Sequence, residues 1–177
     1  MVEQSKLTET EAGLVPEGDG WFVVNAREAR WHENEAFGQF CRFEGEARFP
    51  ELGINLSVLH PGQPSCIYHG ENKQEDFLIL RGECLLLIEG EERPLRAWDF
   101  VHCPPWTEHV FVGGKAGPCF ILSVGARPDD EVVYTAAEVA RKHGAGVEEE
   151  TRSPEEAYAS YPRSVERRYQ DGDLPDW

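Results

Sequence analysis

The residues that could do chemistry fall in two short stretches. In Tyr68-His69-Gly70-Glu71-Asn72-Lys73-Gln74-Glu75, one imidazole is followed closely by two carboxylates. His69 and Glu71 are two positions apart, so on a strand both side chains leave the same face. Glu75 follows a short polar run and opens an apolar one, so a hairpin can fold it back beside them. The second stretch, Asp99-Phe100-Val101-His102-Cys103-Pro104-Pro105-Trp106-Thr107-Glu108-His109, delivers a further imidazole at the start of a strand. Imidazole and carboxylate converging on one face suit a divalent first-row metal. Such a centre can polarise a carbonyl or stabilise a hydroxide at an open position. Glu71 fits three roles there: a direct ligand, a group that orients a ligand, or a general base.

The remaining candidates read as structural. His60 and His102 are expected to be hydrogen-bonded wall residues, and His32 and His143 exposed ones. Alternation puts His102 on the opposite face from Val101 and Cys103. Cys41, Cys66, Cys84, Cys103 and Cys119 contain no C-x-x-C pair, which argues against a disulfide framework or a zinc knuckle. They read as small buried side chains, with Cys66 and Cys103 the better candidates for a reactive thiol because they lie near the histidines. Trp98 and Trp106 either line a pocket mouth or pack.

These side chains must be carried by strands. Trp21–Val24, Gly38–Phe43, Ile54–His60, Cys66–His69, Phe77–Leu80, Cys84–Ile88, Leu95–Cys103, His109–Val112 and Cys119–Val124 are short apolar or alternating runs separated by Gly and Pro. That pattern predicts an antiparallel, all-β barrel or sandwich, and no helical pattern between the runs supports a parallel α/β sheet. Asn25 with Glu28 predicts one helical turn over Ala26–Ala29. Thr135 with Glu138, and Ser153-Pro154-Glu155-Glu156, predict two short C-terminal helices, ending near His143 and Tyr161. Residues 1–20 show no periodicity and read as a mobile N-terminal arm, 21–126 as the barrel, and 127–177 as a helical tail whose Trp177 could dock on the barrel or on a neighbour.

The chain has 177 residues and a formal charge of −16, which suits one domain with arms. An acidic balance excludes a general nucleic-acid or anionic-membrane binder, and no apolar run is long enough to span a bilayer. Residues 1–6 lack a basic start and an apolar stretch, so a secretory signal is not expected and a cytoplasmic location is.

The two stretches resemble the motifs of the cupin family, a small double-stranded β-helix barrel. The first motif reads Gly62, then His69, Gly70 and Glu71, then Glu75 and Gly82. The second reads Pro104, Pro105, Trp106, Thr107, Glu108, His109. The resemblance covers residues 45–125 approximately, with motifs at 62–82 and 99–109. Glu71 stands where the family usually has a second histidine, and Trp106 where it usually has a flexible glycine. The resemblance implies His69, Glu75 and His109 as metal ligands, with Glu71 carried over by position. It implies a divalent ion (Zn, Mn, Fe or Ni, with zinc foremost), a small polar molecule in the barrel, and a homodimer. The family contains isomerases, dioxygenases and lyases, so no one reaction follows. A non-catalytic module that binds a small ligand or metal is the alternative.

Overall fold

The computed structural model describes residues 1–127 and 131–174, so Trp177 and its docking lie outside the described residues. The chain runs through β1 (Lys6–Thr10), β2 (Gly13–Glu17), β3 (Trp31–Asn34), β4 (Gly38–Cys41), β5 (Leu52–Leu59), β6 (Gly70–Glu71) and β7 (Glu75–Arg81). It continues through β8 (Glu83–Ile88), β9 (Glu91–Arg96), β10 (Phe100–Cys103), β11 (His109–Gly113), β12 (Cys119–Ala126) and β13 (Val132–Val133). Helices α1 (Glu138–Lys142) and α2 (Pro154–Ala157) and strand β14 (Val165–Arg167) follow. The larger sheet has the order β10-β7-β12-β5-β4-β3-β14 and the smaller the order β11-β8-β9. All named pairings are antiparallel, as the alternating runs predict.

The two sheets close on each other as a double-stranded β-helix barrel. Leu59, Phe77, Ile79, Val101, Cys103 and Ile121 from the larger sheet pack against Cys84, Leu86 and Phe111 from the smaller. Several strands have a second apolar face, and the flanking segments cover it. Leu85, Leu87, Val110 and Val112 on the outside of the small sheet are capped by Val139, Ala140 and Ala145 at α1. Trp31, Cys41, Leu56, Val58 and Phe120 on the outside of the large sheet are capped by Val24, Ala29, Tyr169 and Leu174. Burial of apolar area at about 25 cal/mol per Å² is what holds these segments to the barrel.

Several local expectations change. Residues 1–20 hold a β1–β2 hairpin, in register from Lys6↔Glu17 to Thr10↔Gly13, where the sequence shows no periodicity. Trp21–Val24 is no strand: only Trp21 makes a bridge, to Gln4. Asn25 does make the predicted turn, its side chain accepting from the Arg27 N–H (2.9 Å) and its carbonyl from Glu28 and Ala29. Leu95–Cys103 is two strands, because the Asp99 carboxylate accepts from the Arg96 N–H (2.9 Å) and turns the chain at Trp98, whose φ is 76°. Thr135 does not cap α1; Ala137 stands at the cap position and makes no side-chain bond. Ser153 caps α2 as expected, accepting from Glu156 N–H at 3.2 Å, although that helix closes at Tyr158. Gly82 (φ 79°) is obligatory, since a Cβ there would lie 2.3 Å from the Pro118 carbonyl oxygen.

Candidate metal centre

His69 and His109 face each other across the barrel wall. They form an isolated antiparallel bridge, with His109 N–H to His69 O at 2.9 Å and the reverse bond at 3.3 Å. The Cys66–His69 run is not a strand. The Ile67 amide donates to the Tyr158 hydroxyl (3.2 Å) and the Tyr68 amide to the Ala145 carbonyl (2.7 Å), so the tail supplies what a ladder would have. Trp106 occupies the glycine position of the second motif and adopts the glycine conformation, at φ 70°. The turn through Pro104 and Trp106 thus sets His109 as the motif requires, despite the bulky residue.

Both imidazoles are held by the same local device. His69 Nδ1 lies 2.7 Å from the carbonyl oxygen of Ile67, and His109 Nδ1 lies 3.0 Å from that of Thr107, in each case two residues back. A carbonyl only accepts, so both Nδ1 atoms carry the proton. Nε2 is left facing the interior in each ring. His109 Nε2 is 3.3 Å from Glu75 Oε2, and His69 Nε2 is 3.4 Å from Glu71 Oε1. Ligand atoms of His69, Glu75 and His109 lie within 4.8 Å of one another. Glu71 stands beside this trio, in contact with His69.

This donor set fits a divalent cation. Two imidazole electron pairs and carboxylate oxygens point at a common centre, an arrangement of acceptors that needs positive charge between them. Protonation answers that need for one ring only. Burial presses the His69 pKa down, but Cys66, Glu71 and Glu75 outweigh it and hold the ring well above its usual range. Burial and the positive charge on His69 push His109 down to about 4. Burial alone would raise Glu71; His69, with His109 adding to it, outweighs that and keeps its pKa below the ordinary value, so it is ionised at neutral pH.

The trio lies in a cavity of about 860 Å³. Phe77, Phe111, Phe37, Tyr134 and Tyr158 give it an aromatic wall, and residues of the tail between Glu155 and Ser164 lie over its mouth. Asn34 Nδ2 ties that tail down by donating to the Pro162 carbonyl (2.8 Å) and the Ser164 hydroxyl (3.2 Å).

The other sequence candidates fall elsewhere. His102 is exposed and bonds Asp76 at 2.7 Å; His143, expected to be exposed, is half-buried and bonds Glu92 at 3.0 Å, and His60, expected in the wall, is exposed. His32, expected to be exposed, is half-buried and stacks on Phe40 at 4.9 Å, because β4 pairs it with that ring. All five cysteines are free. Burial pushes the Cys103 thiol up to about 12, which suits an inert core residue, while Cys66 Sγ sits 3.7 Å from His69 Nδ1. Trp98 and Trp106 do not line the cavity; they are 70% and 44% exposed. Sequence reasoning missed Arg42, Asn55, Ser57 and Ser123, which do line it. The signal was present in Ile54-Asn55-Leu56-Ser57-Val58: the polar half of that alternation faces the cavity, where it would be assumed to face bulk water.

Residues 55–125 match the family model described as "Cupin domain". No curated protein matches the chain. Among solved structures, the polyketide cyclase RemF from Streptomyces resistomycificus shares the fold, with a TM-score of 0.53 at 15% identity over 62% of this chain and 83% of that one. A sugar phosphate isomerase of the cupin superfamily from Silicibacter pomeroyi aligns with a TM-score of 0.48 at 26% identity, over 53% of this chain and 62% of that one. This chain therefore spans less than two thirds of that relative. A Klebsiella pneumoniae protein with a double-stranded β-helix domain aligns at 0.45 and 20% identity, over 49% and 76%.

Proposed function

The chain carries a cupin domain over residues 55–125, which places it in the cupin superfamily, and on that premise we propose that it binds a divalent cation through His69, Glu75 and His109 and acts on a small polar metabolite in the cavity. The observation that carries the proposal is the pair of Nδ1–carbonyl tethers. They turn both Nε2 atoms toward Glu75 and Glu71, at the end of a cavity large enough for a metabolite. When bound, the cation would supply Lewis acidity toward a substrate oxygen. Zinc leads among Zn, Mn, Fe and Ni on ligand type.

The chain's own residues then divide the work. His69, His109 and Glu75 hold the centre. Glu71, ionised and lining the cavity beside the trio, takes or returns a proton on the substrate. Tyr134 and Tyr158 wall the site against bulk water. Metal content is the test. Protein purified without a nickel column and incubated with zinc should retain about one ion per chain after desalting. Retention of none would overturn the assignment.

The homodimer expected from the sequence has support at one edge. β10 ends the larger sheet with its outer side unpaired among the described residues, and Trp98 and Phe100 beside it are 70% and 65% exposed. A second copy would cover that apolar edge. Sedimentation of the wild type and of a Trp98→Ser, Phe100→Ser variant checks it: a dimer that becomes a monomer is expected, and a monomeric wild type would refute it.

A further inference from the structure

Away from the metal trio, the inner face of the larger sheet changes character. The register places Phe77, Ser123 and Asn55 side by side across β7, β12 and β5. On β4, Phe40 pairs with Ser57, and Arg42 follows one residue beyond the last paired position, Cys41–Leu56. Asn55, Ser57 and Ser123 line the cavity, and their side chains make no hydrogen bond to any described residue. Polar side chains at the centre of a barrel sheet, left unbonded by the protein, are placed for a guest.

Arg42 ends this floor and also lines the cavity. Its guanidinium is positioned by Phe40, with Cζ 4.9 Å from the ring centroid, and Phe40 is in turn stacked on His32. Among the described residues no carboxylate forms an ion pair with it. The neighbouring acid, Glu44, is already taken at 2.7 Å by Arg127, and Arg30 and Arg48 add further positive charge nearby. Partial burial, then Arg48, lower the Arg42 pKa, with Glu44 opposing them and Arg127 and Arg30 adding less. In a chain with a net charge of −16, an exposed arginine at the rim of a polar cavity, paired with no carboxylate among the described residues, is a position open to an anionic group.

We propose that Arg42 is the subsite for the anionic end of the ligand, so that the cavity takes a small polyhydroxylated acid, its oxygens at the His69–Glu75–His109 end, its hydroxyls over Asn55, Ser57 and Ser123, and its carboxylate or phosphate on Arg42. The proposal rests on the metal reading for one end of the ligand only. Three interstrand spacings separate β7 from β4, on the order of 14 Å along the sheet, a gap that a sugar acid bridges once the Arg42 and Glu75 side chains reach inward.

The test is a calorimetric titration of zinc-loaded protein with D-glucitol, D-gluconate and D-glucitol 6-phosphate. The last two distinguish a carboxylate from a phosphate against one neutral reference. At least one acid should bind about tenfold or more tighter than D-glucitol. Arg42→Gln should erase that margin with zinc content and circular dichroism unchanged, and Arg42→Lys should keep part of it. Acids that bind no better than D-glucitol, or a margin that survives Arg42→Gln, would overturn the subsite. Arg163, in the tail over the mouth, is the other arginine that lines the cavity among the described residues, and a margin lost only on Arg163→Gln would overturn the choice of arginine. Zinc content measured on the same zinc-incubated protein separates the two claims: an Arg42-dependent margin in protein that retains no zinc refutes the metal alone, and retained zinc without the margin refutes the anion subsite alone.

Discussion

Two pairs of histidines in this molecule meet carboxylates at similar distances and yet differ in kind. His102 and His143 lie at the surface and bond Asp76 and Glu92 directly, at 2.7 and 3.0 Å. His69 and His109 are buried, spend Nδ1 on a carbonyl two residues back, and meet Glu71 and Glu75 through Nε2 at 3.4 and 3.3 Å. In the surface pairs a ring proton already sits between nitrogen and oxygen. In His109 the proton is on the far nitrogen, so the near side presents an electron pair to Glu75, while His69, held protonated by Cys66, Glu71 and Glu75, keeps a second proton toward Glu71 that a cation would displace. The backbone tether, rather than the proximity of an acid, is what separates a ligand histidine from a surface ion pair.

The sharpest way to break this contrast is to remove one ring from each class. His69→Ala and His109→Ala should each lower zinc affinity by about 100-fold or more, since the trio has no spare nitrogen. His102→Ala and His143→Ala should leave it unchanged. Equilibrium dialysis against a zinc indicator reads all four; full affinity in either buried variant would end the distinction. Next in size is Glu71→Gln. Retained zinc with turnover lost on the eventual substrate marks a proton-transfer role, zinc affinity lowered about 10- to 100-fold marks a group that orients His69, and a larger loss marks a ligand.

Acidity should separate the classes as well. In zinc-free protein the folded pKa of His109, about 4, lies below its ordinary 6.5, chiefly through burial. The unfolded chain therefore binds a proton there that the folded chain refuses. The stability this ring contributes is present above pH 6.5 and is lost as pH falls toward 4, by up to about 3 kcal/mol. His69 runs the opposite way: its pKa is raised by Cys66, Glu71 and Glu75 against burial, so its contribution is full below 6.5 and lost as pH climbs through the raised value. Urea midpoints of zinc-free wild type and His109→Asn across pH 4–7 should converge at the acid end. Parallel profiles would show that His109 carries no such penalty.

The sequence made one side of this comparison legible and hid the other. His69, Glu71, Glu75 and His109 were readable as one cluster because imidazole and carboxylate side chains recur there at strand spacings, and most of the strands were readable from alternation. The tethers were hidden, because a bond from Nδ1 to a carbonyl two residues back depends on loop φ and ψ at Ile67 and Thr107. Trp106 shows the same limit: its side chain departs from the glycine usual at that position, while its backbone, at φ 70°, adopts the conformation a glycine would. Asn55, Ser57, Ser123 and Arg42 were hidden for another reason. Alternation reports that two faces differ, and only the folded sheet decides whether the polar one meets water or a cavity. The segments outside the barrel were the least legible, since the hairpin at residues 6–17 and the tail over the cavity mouth are fixed by contacts far away in sequence.

The smallest effect belongs to the surface pair itself. Asp76 is pulled below its usual pKa mainly by the bond from His102, with burial opposing weakly. Its depressed folded value means that the contribution is present above the unfolded value of 3.8 and fades as pH falls through the folded one. Because the His102 side chain is half exposed, water and salt screen the attraction, and His102→Asn should cost about 0.2–1 kcal/mol. Added salt should shrink the difference between the two proteins further, because exposed charges are screened within about 10 Å at 0.1 M. A salt-independent loss of several kcal/mol would mean that His102, on the same strand that carries buried Val101 and Cys103, supports the barrel wall by packing and not by charge.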